Sequence, residues 1–374
     1  MDLSYTEEQN LLRDSLQKYI EDNYDISQRN KLTKSDTGYS ATNWQQFADL
    51  GWLGMAFSEA DGGFGGSAVD TMVMMEEFGK GLVVEPFLST VVMFGSAISE
   101  FGSSAQKEQL IPGIIDGTLL GTVAYAELQA HHDLENIETT ATAEGDDFII
   151  NGTKSVVLHA ASADQIIVST RTSGASDSKE GISLFIVDAA SNGISRTDYP
   201  TVDGLRASEI TFADVRVSGD QLLGQLDQGY TVLNKIANRT ILALAAEAVG
   251  AMEVLYKDTI AYTKQREQFD HPLSEFQVLK HRMTEMFMEY SLSKSLTMKA
   301  TMLESQNSAD AQRTIHALKY LIGKASRFVG QNAVQLHGGM GMTEELRIAH
   351  YFKRLMVIDS QFGNMDHHLE KFVA

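Results

Sequence analysis

The chain has 374 residues, of which 43% are hydrophobic, and its 50 Asp and Glu against 30 Lys and Arg give a formal charge of -20. It is long enough for more than one domain, and it lacks the basic surface that a nucleic-acid partner would need. The absence of cysteine excludes thiol nucleophiles, disulfides and cysteine-ligated metals.

The N-terminal part, residues 1–118, has the pattern of a helical domain. Thr6 and Gln9 have the spacing of a capping box at the start of a helix. Apolar side chains at Leu12, Leu16 and Ile20 then recur on one helical face. The later stretch EADGGFGGSA follows no predicted strand and is followed by no lysine, so it favours an interhelix loop over a phosphate-binding loop.

The middle part, residues 119–223, has the pattern of a β domain. Short runs such as KSVVLH, DQIIVSTRT and ISLFIVD are rich in β-branched and aromatic residues, and Gly, Asn, Asp and Ser clusters separate them. A small barrel or sandwich is the predicted architecture. We expect antiparallel pairing, because the connections are too short for crossover helices.

The C-terminal part, residues 224–374, returns to helical periodicity. Long segments over about 229–266, 274–305 and 309–336 contain almost no Pro or Gly, and their apolar residues repeat at intervals of three and four. Helices of this length pack as a bundle, here predicted to have four helices. The predicted fold class is therefore α+β, with a helical domain, a β-barrel or sandwich domain and a helical bundle in that order.

No targeting or membrane segment is evident in the sequence. The beginning, MDLSYTEEQNLL, is acidic and lacks the basic and apolar regions of a signal peptide. No apolar run approaches the ~18 residues of a membrane span. We therefore expect a soluble cytoplasmic protein that binds neither nucleic acid nor membrane.

Three long motifs carry a family resemblance that periodicity alone could not give. The stretches YTKQREQFDHPLSEFQVLKHRMTEM, GLRASEITFADVRV and QLHGGMGMTEELRIAHYFKRL together resemble the acyl-CoA dehydrogenase family. The phrases SVVLHAASAD and LAAEAVGAME, and YFKRL followed by DHHL, are most similar to the small subunit of pimeloyl-CoA dehydrogenase and of similar two-subunit enzymes. The resemblance covers nearly the whole chain and agrees with the predicted order of helices and strands.

The resemblance implies a definite chemistry. In this family an acyl-CoA thioester lies against the flavin of FAD, a carboxylate removes the α-proton as general base, and a hydride leaves the β-carbon for the flavin. The product is a 2,3-enoyl-CoA. Electron transfer flavoprotein is the usual electron acceptor. Donors at the thioester oxygen stabilise the charge that develops there.

Two motifs are implied to contact FAD. In QREQF, the family's arginine reaches the FAD diphosphate of a neighbouring subunit and the phenylalanine packs near it; these positions are Arg266 and Phe269. A guanidinium suits a bidentate phosphate contact, although an ion pair with Glu267 or Asp270 is the alternative. The family usually has glycine where this chain has Asp270, and a carboxylate there is unfavourable beside a diphosphate.

In QLHGG, the implied flavin contacts are Gln335, Gly338 and Gly339. The family lays this turn against the FAD of the partner subunit. Glycine permits both a positive φ and a close backbone approach. A helix C-cap also favours glycine, so the two roles can coexist.

The β domain departs from the family pattern beside the flavin and the substrate. Where the family has T-E-P-x-A-G-S-D, this chain reads AELQAHHDL, so that Ala126 replaces the flavin-facing threonine and His132 the serine. His132 is a candidate substrate contact. Val156, Val157 and Leu158 stand where the family has W-I-T. Hydroxyl groups that would touch the flavin are therefore missing at both places.

The expected catalytic base is also missing. Aligning Arg354 with the family's R-D-A arginine places the glutamate of the Y-E-G-T motif at Gly363. The alternative base position of some members falls near Thr240, which is not an acid either. Asp366 is a weak candidate base, and a surface or helix-capping acid is the competing interpretation. Gly363 can present only a backbone N–H to a substrate oxygen.

These departures leave three hypotheses. The first is a subunit of a heteromeric acyl-CoA dehydrogenase, in which a related partner chain supplies the glutamate. The second is a self-sufficient flavoenzyme of altered chemistry, such as a monooxygenase or a desulfinase, as a self-associated dimer or tetramer. The third is a structural or regulatory subunit that binds no cofactor. The histidine pairs at 131–132 and 367–368 lack a third ligand at a clear spacing, so no metal site is predicted.

Overall fold

The computed structural model describes residues 5–374, and within this range the chain forms helices at both ends and a sheet in the middle. The helices are α1 Glu7–Asn23, α2 Ile26–Thr33, α3 Ala41–Asp49, α4 Ala68–Gly81, α5 Ser96–Phe101, α6 Ser104–Ile115, α7 Gly229–Gln265, α8 Gln277–Ser305, α9 Ala311–His337, α10 Arg347–Ser360 and α11 Met365–Val373. The strands are β1 Gly121–Ala124, β2 Thr140–Glu144, β3 Asp147–Leu158, β4 Gln165–Arg171, β5 Ile182–Asp188, β6 Ile194–Pro200, β7 Arg206–Ser218, β8 Leu222–Leu223, β9 Glu267–Gln268 and β10 His271–Pro272.

The chain divides into two compact units. One contains Met1–Lys31, Ser67–Val83 and Ile241–Ala374, and the other contains Leu32–Gly66 and Val84–Thr240. The first unit is built mainly from helices, and the second contains the large sheet with α3, α5 and α6. No helix within residues 5–374 is long and apolar enough to cross a membrane.

The first helix begins as its sequence predicts. The Gln9 N–H donates to the Thr6 hydroxyl at 3.2 Å, and the Thr6 N–H donates to the Gln9 side-chain oxygen at 3.1 Å. This reciprocal pair satisfies two of the amides that a helix start leaves without partners. Leu16 and Ile20 are buried on the face that the periodicity indicates.

The long helices of the C-terminal part lie close to their predicted positions. Glycines let α4 and α7 cross with their backbones in contact, because a Cβ on Gly79 would collide with the Glu247 carbonyl and one on Gly250 with the Glu76 carbonyl. The Arg354 guanidinium ties α10 to α7 through bonds of 2.5 and 2.7 Å to the Glu247 carboxylate. Both side chains of this ion pair are buried.

The sheet has eight strands in the order β6-β7-β3-β2-β4-β5-β8, and β1 joins through β4. Most neighbouring strands are antiparallel, as predicted. The pairing of β1 with β4 is parallel, however, and so is the single pairing of β2 with β4. The β2–β3 hairpin lies between β1 and β4 in the chain, and this connection is long enough to reverse direction without a crossover helix.

One face of the sheet buries an apolar core. The buried members are Ala124, Ala141, Ile150, Val157, Ala160, Ile166, Val168, Phe185, Val187, Ile210, Phe212, Val215 and Val217. Their alternation along each strand follows the period of two that a pleated strand imposes. The helical and β parts together have the fold class that the sequence predicts.

Candidate active site

The motif QREQF forms the start of a two-stranded hairpin after α7. Strand β9 pairs with β10, and the turn between them is Phe269–Asp270. Both turn residues have a positive φ, 58° and 63°, as a type I′ hairpin turn requires. This geometry explains why glycine suits the second turn position, and Asp270 is among the residues that tolerate it.

The hairpin exposes the two residues that the resemblance assigns to the cofactor. The Phe269 side chain is 85% exposed, with an edge contact to Phe276 at 6.3 Å between ring centroids. Arg266 is also exposed, and within residues 5–374 its guanidinium makes no ion pair with Glu267 or Asp270. The guanidinium is thus available to an anion.

The QLHGG stretch lies where α9 ends and a short 3₁₀ turn begins. Gly338 has φ 61° and ψ -146°, a conformation open essentially to glycine alone, and its N–H donates to the Gln335 carbonyl. Gly339 has open space where a Cβ would lie, and it is exposed. The helix end therefore explains Gly338, while Gly339 leaves its backbone open to a ligand.

An aromatic stack brings these two motifs together. Tyr262, near the end of α7, stacks on His337 at the end of α9 with ring centroids 4.3 Å apart. The His337 ring also bonds to the Ala333 carbonyl at 2.8 Å. Arg266 follows Tyr262 by one helical turn, and Gly338 follows His337 directly. The hairpin and the glycine turn are thus held at one end of the same helix pair.

In the β unit, the segment that replaces T-E-P-x-A-G-S-D is anchored by a buried ion pair. Lys154 Nζ lies 2.6 Å from Glu127 Oε1 and 2.9 Å from Ser169 Oγ. The Glu127 carboxylate also accepts the Glu138 N–H at 2.8 Å and the Thr139 N–H at 3.1 Å. These contacts tie the segment that contains Ala126 and His132 to strand β3.

Burial and the ion pair together shift the pKa values of both Glu127 and Lys154. Burial alone would raise the pKa of Glu127, but the Lys154 ammonium and the neighbouring donors bring that pKa down to about 2. Burial lowers the pKa of Lys154 to about 8, against the opposing effect of Glu127. Both groups are therefore charged near neutral pH. Glu127 therefore anchors this segment.

Strained backbone surrounds the positions that the family resemblance predicts to face the flavin. His131 has φ 50° and ψ -97° where the family has glycine. Val156 has φ 51°, which is a steric outlier for a β-branched residue, and its side chain is exposed at a bulge between β3 and β7. Leu158 is buried and has no hydroxyl. His132 is half-buried two residues before Leu134, in the same segment.

The C-terminal segment forms a tight turn between α10 and α11. Gly363, at the expected glutamate position, has φ 98° and is buried. A Cβ there would lie 2.7 Å from the His367 ring and 2.8 Å from the His368 ring. Asn364 begins α11 by accepting the His367 N–H at 2.9 Å. The turn therefore excludes a side chain at Gly363 by both its conformation and its packing.

The nearby acids have structural contacts or lie on the surface. Asp359 is buried, accepts the Met365 N–H at 3.1 Å and pairs with Arg327 at 3.2 Å. Asp366 is exposed in the first turn of α11, where a negative charge interacts favourably with the helix dipole. Thr240, at the alternative base position, is buried and donates to the Ile236 carbonyl of its own helix at 2.7 Å.

One face of α9 holds this turn with polar groups. Lys319 is fully buried and donates to the carbonyls of Ile358 and Asp359 at the end of α10. Burial lowers the pKa of Lys319 to about 7. Three residues before it along the face, His316 Nδ1 lies 2.9 Å from His368 Nδ1. These contacts are not predicted from the sequence, although polar residues at intervals of three and four on a helix are a signal for them.

Acid should weaken this contact between His316 and His368. Burial lowers the pKa of His316 to about 4 and that of His368 to about 3, from an ordinary 6.5, and the charges of His367, Lys371 and Lys319 act in the same direction. The unfolded chain therefore binds more protons below pH 6.5, and stability is lost as pH falls towards 3. Urea unfolding at several pH values measures this effect. In the double variant His316→Gln/His368→Gln, the free energy of unfolding should fall less steeply with decreasing pH than in the native protein. Equal slopes, or an equal change in exposed His281→Asn, would contradict this assignment.

Comparison with known proteins identifies the family. The acyl-CoA dehydrogenase N-terminal, middle and C-terminal domain models match residues 6–118, 122–215 and 227–371. Acyl-CoA dehydrogenase FadE12 of Mycobacterium tuberculosis is 30% identical over 82% of this chain and 80% of its own length. The chain belongs to the acyl-CoA dehydrogenase family, whose members are FAD-dependent oxidoreductases acting on CH–CH groups.

Two solved structures show how closely the fold agrees. The acyl-CoA dehydrogenase of Geobacillus kaustophilus has a TM-score of 0.92 at 27% identity, covering 99% of this chain and 98% of that one. A variant of the Tcur3481–Tcur3483 steroid ACAD has a TM-score of 0.89 at 27% identity, covering 98% and 97%. Within residues 5–374, no group of three or more His, Asp or Glu is placed to hold a metal ion.

Proposed function

We propose that this chain is one subunit of a heteromeric FAD-dependent acyl-CoA dehydrogenase whose related partner subunit supplies the catalytic carboxylate. The observation that carries the proposal is the turn at Gly363, which has neither a carboxylate nor room for one. The turn is nevertheless held by buried polar contacts from α9. A chain that had merely lost its function would have no need of such an ordered segment.

The residues present fit one part of an FAD site. The exposed Arg266 guanidinium suits the diphosphate, and the open backbone at Gly339 suits close approach by a ring system or a ribose. Gln335 and Phe269 are exposed beside them. In the family these motifs serve a neighbour's FAD, so they support a role towards the partner's cofactor. Ala126 and Leu158 offer no hydroxyl for a flavin of this chain's own.

The division of labour between the subunits follows from these contacts. FAD, when bound, would accept the hydride that leaves the β-carbon of the acyl-CoA. The α-proton passes to the carboxylate of the partner subunit, because Gly363 cannot accept it. The Gly363 N–H has no hydrogen-bond partner within residues 5–374 and can donate to a thioester oxygen. His132 is a further candidate substrate contact, and electron transfer flavoprotein is the expected acceptor. We also propose that the protein is located in the cytoplasm.

Expression of the chain alone and with each neighbouring dehydrogenase-like gene tests the proposal. We expect less than one FAD per chain and no enoyl-CoA formation from the pure chain. In a complex of two related subunits we expect bound FAD and 2,3-enoyl-CoA formation from a panel of mono- and dicarboxylic acyl-CoAs. Flavin absorbance, native mass spectrometry and product analysis measure these quantities.

The outcomes separate the three hypotheses. Full FAD occupancy and enoyl-CoA formation by the pure homomer would overturn the proposal. Full occupancy without dehydrogenation of any acyl-CoA would favour a flavoenzyme of altered chemistry. A colourless protein in every combination would favour a structural subunit. In the active complex, Asp366→Asn tests the remaining acid near the turn, and a large loss of activity would place the base in this chain.

A further inference from the structure

The carbonyl and the N–H of the peptide unit between Phe362 and Gly363 differ in their hydrogen bonding. His368 Nε2 lies 2.8 Å from the Phe362 carbonyl oxygen. The N–H of the same peptide, on Gly363, has no partner within residues 5–374. The peptide is trans, so the carbonyl and the N–H point in opposite directions. A donor that fixes the carbonyl therefore also fixes the direction of the Gly363 N–H.

The protonation of the histidines behind this peptide follows from their partners. A carbonyl oxygen can only accept, so His368 must carry its proton on Nε2 and accept at Nδ1. His316 Nδ1, 2.9 Å away, must then be the donor. His316 Nε2 is left as an acceptor, and the Gln312 amide lies 3.1 Å from it. Both imidazoles are neutral, and every hydrogen bond donates towards the Phe362 carbonyl.

Aligned hydrogen bonds strengthen one another inside a protein. Withdrawal of electron density from the Phe362 carbonyl makes the Gly363 N–H a better donor. The chain of donors begins on α9, a long helix, and His368 is buried, so the geometry is rigid. The rings of His367 and His368 also occupy the space of a side chain at Gly363. What the turn can present to a ligand is thus a backbone donor.

We propose that His368, supported by His316, is a positioning residue that orients and polarises the Gly363 N–H for the carbonyl oxygen of an acyl thioester. The inference rests on the proposed function, because it assumes that acyl-CoA reaches this segment. It goes further in assigning a role to two histidines outside the flavin motifs. The histidines bind the peptide of the turn, and the peptide binds the substrate.

A matched pair of ligands isolates the carbonyl contact. One is an acyl-CoA thioester, and the other is the S-alkyl-CoA thioether of equal length, which lacks the carbonyl oxygen. Calorimetric titration of the FAD-loaded complex, or of the lone chain if it binds acyl-CoA, gives the affinity ratio of the two. We expect the native protein to prefer the thioester roughly tenfold, the effect of one hydrogen bond. His368→Phe should remove most of this preference while leaving thioether affinity within about twofold.

Two further variants separate positioning from simple destabilisation. His316→Gln keeps a donor for His368 Nδ1 and should retain the preference, whereas His316→Leu removes the donor and should reduce it. His281→Asn, on the exposed face of α8, should leave both affinities unchanged. If His368→Phe does not fold, the His316 pair provides the same test.

The inference is overturned if His368→Phe weakens both ligands equally or weakens neither. It is also overturned if neither the lone chain nor the complex binds acyl-CoA. The source of the base is read separately, from enoyl-CoA formation and its dependence on the partner subunit. The thioester preference can therefore survive failure of the two-subunit proposal, and the two-subunit proposal can survive loss of the preference.

Discussion

Replacement of Glu127 by glutamine is expected to lower the free energy of unfolding by about 3–5 kcal/mol. The change removes the negative charge beside the fully buried Lys154 ammonium, whose acceptors are then the neutral amide oxygen of the glutamine and Ser169 Oγ at 2.9 Å. Lys154→Met should cost less, because the Glu127 carboxylate keeps its bonds from the Glu138 and Thr139 N–H groups. Urea unfolding of the three proteins measures the order. A smaller loss in Glu127→Gln than in Lys154→Met would contradict it.

An exposed ion pair in the same sheet provides the control. Arg216 contacts both Glu144 and Asp147, and the Arg216 and Glu144 side chains are more than half exposed. Glu144→Gln should change the free energy of unfolding by no more than about 1 kcal/mol, since solvent screens such pairs. A comparable loss in both variants would mean that the buried position of Glu127 does not set its importance.

Restoration of the family glutamate by Gly363→Glu is expected to yield no base and to destabilise the protein by about 2–4 kcal/mol. The positive φ of 98° and the two histidine rings beside the absent Cβ both oppose a side chain. We expect no enoyl-CoA formation by the pure variant and a lower urea midpoint. Dehydrogenation by the variant without a partner would show that the turn can accept the carboxylate after all.

A control variant at Gly145 separates the conformational part of this destabilisation from the part that is due to packing against the histidine rings. It also has a positive φ, 66°, and no atom lies within 4 Å of its absent Cβ. Gly145→Ala should therefore lose only the conformational term, about 1–2 kcal/mol, while Gly363→Ala should lose more. Equal losses would mean that the histidine rings move aside at little cost. Backbone conformation alone would then explain the glycine at position 363.

Periodicity in the sequence is sufficient to predict the helices and most of the strand pairing in the sheet. The capping box at Thr6 and the long segments near 229–266 and 309–336 appear in the structure close to where they were predicted. These features depend on neighbouring residues, which the sequence contains directly. The parallel pairing of β1 with β4 was not predicted, because it depends on the path of a long connection. Local spacing carries no information about that path.

The features of the candidate site also divide into those that the sequence could predict and those that it could not. Motif positions gave Arg266, Gln335 and Gly363, but not the backbone angles that make the glycine at 363 necessary. The family glutamate at Glu127 could be recognised in the sequence. Its partner Lys154 could not, because the two residues are 27 positions apart and meet only through the β3 strand.

The sequence by itself determined the family and the order of helical and β parts, and it placed glycine at residue 363, where the family resemblance predicts the catalytic carboxylate. Only the tertiary structure decided that the turn at Gly363 is closed to any side chain, and that His316 and His368 hold its peptide. The reason is physical. A missing residue type is visible in a linear sequence, whereas the direction of the Phe362–Gly363 peptide depends on its bond to His368, and His316 reaches His368 from 52 positions away only through packing.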